Sequence, residues 1–223
     1  PTPSLTPTPT NTPTATVPAD RIFADGFESG SFSAWSSSVP DSGDLSVTAA
    51  AALAGSARGM QALIDNNNAI YVTDSSPAAE ARYRARFYFD PNSIPMSSGN
   101  QHYLFYGYSG SSTVVLRLEL RYSSSAYQIR AALVNNSSTW TTSNWFVISD
   151  APQAIEVDWR SGSAGGLTLW INGVQSAALT GVNNSNRRIA SVRLGALDGI
   201  DSGTRGTYYF DAFDSRRASY IGP

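Results

Sequence analysis

From Asp20 onward, apolar and polar residues alternate with a period of two, the spacing at which successive side chains of an extended chain point to opposite faces. In residues 81–89, Tyr83, Ala85, Phe87 and Phe89 fall on one face and Arg82, Arg84, Arg86 and Tyr88 on the other, the signature of a half-buried strand. Residues 114–122 repeat the scheme, with Val114, Leu116, Leu118, Leu120 and Tyr122 inward and Arg117, Glu119 and Arg121 outward. In residues 154–160, Ile155, Val157 and Trp159 oppose Glu156, Asp158 and Arg160. Similar runs predict strands over 69–73, 103–108, 127–134, 146–149, 166–171, 189–194 and 207–213. Asn172-Gly173 separates two such runs and predicts a hairpin, because both central residues of a type I′ turn need a positive φ. No long helical spacing competes. Many short antiparallel strands, each with one apolar face, predict an all-β fold over residues 20–223: a two-sheet antiparallel β-sandwich, or jelly roll.

Residues 1–19 break the pattern. They read PTPSLTPTPTNTPTATVPA, in which Pro fixes φ and removes backbone donors, so the expectation is an extended Pro/Thr-rich N-terminal arm or stalk in polyproline II. At about 3.1 Å per residue such an arm reaches roughly 60 Å, whereas a body of this size is only about 40 Å across. It is long enough to touch a neighbouring copy. Thr6, Thr8, Thr10, Thr12, Thr14 and Thr16 project around all its sides, as a stalk coated with O-linked sugars requires.

Composition points outside the cell. There is no Cys and no Lys, all 15 basic residues are Arg, and charged residues are only 14% beside abundant Ser, Thr, Asn and Gly. No disulfide framework is available, and no Cys or His cluster suits zinc. A net charge of −2 leaves no electrostatic footprint for nucleic acid, and no apolar run is long enough for a membrane span. The chain starts on Pro1 rather than Met, as a processed or excised secreted product would.

Two aromatic segments bracket the body: Phe23-Ala-Asp-Gly-Phe-Glu-Ser-Gly-Ser-Phe-Ser-Ala-Trp35 and Tyr208-Tyr-Phe-Asp-Ala-Phe213. Paired as neighbouring strands they close the sandwich and bring Asp25, Glu28 and Asp211 together, an oxygen-ligand set for a structural Ca²⁺. Gln153-Ala-Ile-Glu-Val-Asp-Trp-Arg160, a Gly/Ser turn and Gly166-Leu-Thr-Leu-Trp-Ile-Asn-Gly173, with these bookends, resemble the concanavalin A-like lectin/glucanase superfamily and its laminin-G-like secreted bacterial branch over about residues 20–217. The resemblance implies a concave sheet or rim loops that bind glycans, with a structural Ca²⁺.

Catalytic chemistry is poorly supplied. Glucanases of that superfamily carry a Glu-x-Asp-x-Glu or Glu-x-Asp-x-x-Glu strand, and here Glu156 and Asp158 are present while Arg160 and Ser161 occupy the positions of the last Glu. The expectation is that Glu156 and Asp158 pair with Arg residues on adjacent strands. His102 is the sole histidine, and no Gly-x-Ser-x-Gly turn accompanies it; with Tyr106 or Tyr108 it forms the one base–acid combination a lyase would use.

Binding chemistry is richer. Residues 135–145 form a polar loop with Trp140 and Trp145, whose indole faces suit sugar rings. Tyr103, Tyr106, Tyr108 and Tyr127, with His102, extend that platform if their strands share the concave sheet. Sequons start at Asn135, Asn136 and Asn183. The expected role is therefore a non-catalytic extracellular module, secreted or at the cell surface, that binds a polysaccharide or surface glycan or mediates adhesion. The alternative is a self-assembling filament or surface-layer subunit in which residues 1–19 dock on the next copy. A glycan hydrolase or lyase ranks behind both.

Overall fold

A computed structural model describes residues 18–223, so the arm over residues 1–19, its Thr side chains and its docking lie almost wholly outside the described part. Sixteen strands follow in chain order: β1 Arg21–Asp25, β2 Ser37–Val39, β3 Leu45–Thr48, β4 Gly59–Ile64, β5 Ile70–Asp74, β6 Arg82–Asp90, β7 Gln101–Ser109, β8 Thr113–Ser123, β9 Ala126–Val134, β10 Trp140–Thr142, β11 Phe146–Ile148, β12 Gln153–Arg160, β13 Gly165–Ile171, β14 Val174–Val182, β15 Ser191–Ala196 and β16 Gly206–Arg216. They form two antiparallel eight-stranded sheets packed as a sandwich. Sheet I runs β14-β13-β12-β6-β16-β4-β3 with β1 also on β16; sheet II runs β10-β9-β8-β7-β15-β5-β2 with β11 also on β9.

The inward side chains follow the alternation. Tyr83, Ala85, Phe87 and Phe89 of β6 and Ile155, Val157 and Trp159 of β12 are fully buried, facing Leu116, Leu118 and Leu120 of β8 and Ile129 and Leu133 of β9 across the core. Phe105 of sheet II lies 5.8 Å from Phe87 and 6.3 Å from Phe213 of sheet I, so aromatic contacts tie the two layers. Asn172 and Gly173 both have positive φ, 51° and 76°, as the type I′ turn demands. The Asn172 side chain also accepts the Ala154 N–H at 2.8 Å and donates to Gln153 at 2.9 Å, fixing the turn to β12.

The bookend strands pair. β1 lies antiparallel to the second half of β16, with Asp25 opposite Phe213, while the first half of β16 pairs with β4 on the same edge. Two details depart from the alternation. A register shift between Gly107 and Tyr108 opposite β8 inserts one residue, so that Val115 is buried in the core and Val114 joins the opposite face. The 189–194 run begins pairing as a strand at Ser191, since Ile189 makes only an isolated bridge to Glu80.

On the outer face of sheet I the expected pairing of Glu156 and Asp158 with neighbouring Arg residues is present, but sealed rather than solvated. Arg84 bonds Glu156 at 2.5 Å and Asp158 at 3.1 Å, Arg82 holds Asp158 at 2.8 Å, and Arg160 approaches it at 3.3 Å. The cover is the C-terminal segment. Glu156 accepts the N–H groups of Ile221 at 3.2 Å and Gly222 at 2.9 Å, Tyr220 lies 5.9 Å from Trp170, and the Arg84 guanidinium sits against both rings. Asp20 clamps the start of the strap by accepting the Ser219 and Ala218 N–H groups, bonds that hold its carboxyl down at about 2.

A buried pair that loses one partner leaves an uncompensated charge. Replacing Arg84 by Met is expected to destabilise the fold by about 3 kcal/mol, measured as a lower urea midpoint with unchanged slope.

Candidate functional site

The outer face of sheet II is built differently, and nothing among the described residues straps it. It begins with an irregularity in β7. Tyr103 stands opposite Glu119 and Phe105 opposite Leu118, so Leu104 is an extra residue on β7 and the alternation is reset. Tyr103 before the bulge and Tyr106 and Tyr108 after it consequently share the outer face. Registers extend the row across the sheet: Arg193 of β15 is opposite Tyr106, which is opposite Arg117 of β8, and Glu119 is opposite Arg130 of β9. Tyr71 of β5 joins from the far side, opposite Gly195.

Tyr106, Tyr108 and Leu197 form a small second apolar cluster on this face, with Tyr71, Tyr103 and Val114 packed against it. Tyr103 and Tyr106 lie 5.2 Å apart, and Tyr106 meets Tyr108 edge-on at 5.9 Å. Guanidiniums lie on these and neighbouring rings: Arg193 is 4.5 Å from Tyr71 and 4.9 Å from Tyr108, Arg117 is 4.0 Å from Trp140 and 5.2 Å from Tyr103, and Arg121 and Arg130 are each 4.3 Å from Trp145. Glu119, only 1% exposed, anchors two of them, with Arg117 at 2.8 Å and Arg130 at 2.6 Å. Stacking and ion pairing together orient planar donors that remain partly open to solvent. Burial raises the phenols of Tyr106, which also meets the Asp198 carboxylate, and of Tyr108, keeping both protonated. The face sets the partly open rings of Tyr103, Trp140 and Trp145 and forked cations around Tyr106 and Tyr108, which are only 5% and 6% exposed, an arrangement whose chemistry matches flat apolar faces and carboxylates.

The sequence-derived residues divide. Trp140, Trp145, Tyr106 and Tyr108 come together on this face. His102 does not: it precedes the bulge with the inward phase, is 1% exposed, stacks on Tyr208 of sheet I and shares a 3.1 Å hydrogen bond with its hydroxyl. Tyr127 also points inward, donating to the Ile94 carbonyl at 2.6 Å. Arg117 and Arg121 were legible as outward residues, Arg130 and Arg193 were not singled out, and none was legible as a member of one site; their common feature, a place beside an aromatic ring, emerges only from strand order.

The three carboxylates expected to hold Ca²⁺ are not gathered as a set. Glu28 and Asp211 are close enough for the Glu28 charge to add to the burial that raises Asp211. Glu28 accepts the N–H groups of Ala57 and Arg58, and Asp211 accepts the N–H groups of Leu53 and Ala212 and the Ser56 hydroxyl. Asp25 instead accepts the Trp35 indole N–H at 2.8 Å and the Phe27 N–H at 2.9 Å. Among the described residues no group of three or more His, Cys, Asp or Glu is placed to hold a metal ion, and backbone or indole N–H groups bond all three of these carboxylates.

Known structures share the architecture. The fold is similar to that of endo-β-1,4-glucuronan lyase from the fungus Trichoderma reesei, with a TM-score of 0.67 at 11% identity over 89% of this chain and 96% of that one. Cellulose induced protein Cip1 gives 0.63 at 17% identity over 90% and 99%. A mutant of alginate lyase Aly36B in complex with alginate tetrasaccharide gives 0.51 at 11% identity over 73% and 82%. At these identities the likeness is one of fold. No family model and no curated protein matches the sequence.

His102 carries a test of its inward placement. Burial lowers it to about 4 from 6.5, so between these values the unfolded chain takes up a proton that the fold refuses, and stability falls as pH falls through that window. The loss is on the order of 3 kcal/mol. His102→Gln keeps a partner for Tyr208 without titrating, so urea unfolding at pH 7 and pH 4 is expected to show the unsubstituted protein losing that much more than the variant.

Proposed function

We propose that this chain is a concanavalin A-like jelly roll, acting outside the cell, whose sheet II outer face binds an acidic polysaccharide without cleaving it. The observation that carries the reading is the set of four ring-stacked guanidiniums, Arg117, Arg121, Arg130 and Arg193, on a face whose own carboxylates are Glu119 and Asp198. Arg forks bind carboxylates in a bidentate way, and the adjacent Trp and Tyr faces accept the apolar faces of pyranose rings. A neutral glycan would leave much of that charge unmatched. The names of two similar structures, a glucuronan lyase and an alginate lyase holding alginate, support the same substrate class.

Binding is favoured over elimination by the state of the bases. Abstracting the proton next to a uronate carboxyl needs a base poised near the working pH. The sole histidine is in the core, and the raised phenols of Tyr106 and Tyr108 are donors rather than bases. The Glu156–Asp158 pair of sheet I is locked in ion pairs beneath the C-terminal strap, so it offers no acid or nucleophile for hydrolysis.

Retention on immobilised polyglucuronate or alginate is expected, weakening as salt is raised, with no retention on a neutral β-glucan. Arg193→Ala and Trp140→Ala should each weaken binding about tenfold with the thermal midpoint nearly unchanged, an effect of about 1.4 kcal/mol. Equal retention on neutral glucan would remove the acidic class. Growth of the ultraviolet absorbance of an unsaturated uronate during incubation would replace binding by lyase chemistry.

A further inference from the structure

Charge is missing from one side of the sandwich. Charged residues make up 14% of the chain, yet residues 131–149 and 161–186 contain none. The two segments are neighbours in space: β10 contacts β14, and Thr142, Asn144 and Phe146 line a shallow groove with Ser176, Ala178 and Leu179. The side they form ends in β14, the last strand of sheet I, and among the described residues nothing pairs with its outer edge. Val174 there and Val147 of β11 are 68% and 65% exposed.

The other sheet ends are blunted by length. β3 has four residues and β2 and β10 three each, whereas β14 has nine. Long edges in soluble proteins are protected by a charge, a Pro or a bulge, because their free N–H and C=O groups template another strand. β14 has no charge and no Pro, and its bulges shield it only from a strand that does not carry matching ones. Its sequence, Val-Gln-Ser-Ala-Ala-Leu-Thr-Gly-Val, is close to a chemical palindrome about Ala178: Val174 matches Val182, Ser176 matches Thr180 and Ala177 matches Leu179. Its two register shifts against β13 are placed in the same way, one next to Ser176 and the other between Leu179 and Val182. Antiparallel self-pairing therefore sets like chemistry against like chemistry and bulge against bulge.

We propose that two copies of this chain pair antiparallel through β14 about a two-fold axis at Ala178, joining their first sheets into one. The occupant is a second copy because the surface is neutral and matches itself, which gives a charged partner nothing to recognise. The chain's own first residues are poor competitors, since Pro at positions 1, 3, 7, 9 and 13 cannot donate to a ladder. A two-fold axis perpendicular to the paired strands leaves both second sheets facing the same way, with the Trp140 ends of the two outer faces flanking the seam.

The full chain is expected to sediment with twice the mass of one chain as its concentration rises. Ala178 is exposed, so Ala178→Glu and Ala178→Lys should fold normally but place like charges opposite each other, and each alone should sediment as a monomer. Mixed in equal amounts they should regain the dimer mass, which misfolded chains would not do. An unsubstituted chain that stays monomeric, assembles beyond a dimer, keeps its mass in either variant, or whose variants fail to recombine overturns the proposal. The mass is read without glycan, so it stands or falls separately from polysaccharide retention, which both variants should keep.

Discussion

The sandwich depends on one long-range pairing. β16 must find β6 on one side and both β4 and β1 on the other, and Arg21 is joined to Asp214 across 193 residues of chain. Until that strand is seated, sheet I is three separate pieces, and the aromatic side chains of Tyr208, Phe210 and Phe213 have no layer to pack into. Pairings of this separation cost loop entropy before they return any contact, so closure is expected to be the slow step of folding. The buried Asp211 belongs to the same seam: its carboxylate ties the backbone at Leu53 and Ala212 around the strand.

The two outer faces use one vocabulary for opposite ends. Each sets Arg beside Trp, Tyr and Glu. On sheet I the strap supplies backbone donors to Glu156 and a ring to Arg84, so Arg84, Glu156 and Asp158 are buried together while Arg82 and Arg160 stay partly open at the margin. On sheet II the guanidiniums are ordered by Glu119 and by the rings but keep edges toward water. Guanidiniums ordered in this way have less side-chain entropy left to lose if the second sheet's face takes the proposed polysaccharide.

The fold was legible because burying one face of a sheet imposes a period of two, and β6 and β12 obey it residue by residue, β8 from Leu116 onward. The Asn172-Gly173 turn and the pairing of the chain ends were legible for equally local reasons, a positive φ and matched aromatic segments. Trp140, Trp145, Tyr106 and Tyr108 could be picked out as chemistry in search of a place. What periodicity cannot encode is strand order, so Arg117 and Arg121 of β8 read as outward residues with no connection to Arg130 of β9 or Arg193 of β15. His102 was misplaced for the same reason: its neighbours in sequence are on the platform, but its phase is that of the core. The carboxylates of Asp25, Glu28 and Asp211 looked available because the backbone donors that claim them belong to distant segments, such as Leu53, Ala57 and Arg58.

Leu104 carries a consequence for how such a surface arises. Because that one residue is supernumerary, every side chain after it in β7 has changed sides relative to those before it. Were Leu104 given a regular place in the alternation, Tyr106 and Tyr108 would turn toward the hydrocarbon interior and Phe105 toward water; with Leu104 bulged, or removed altogether, Tyr103, Tyr106 and Tyr108 keep one face. A strand can therefore carry one surplus residue and still present an unbroken outward row, because the backbone and not the order of side chains takes up the excess.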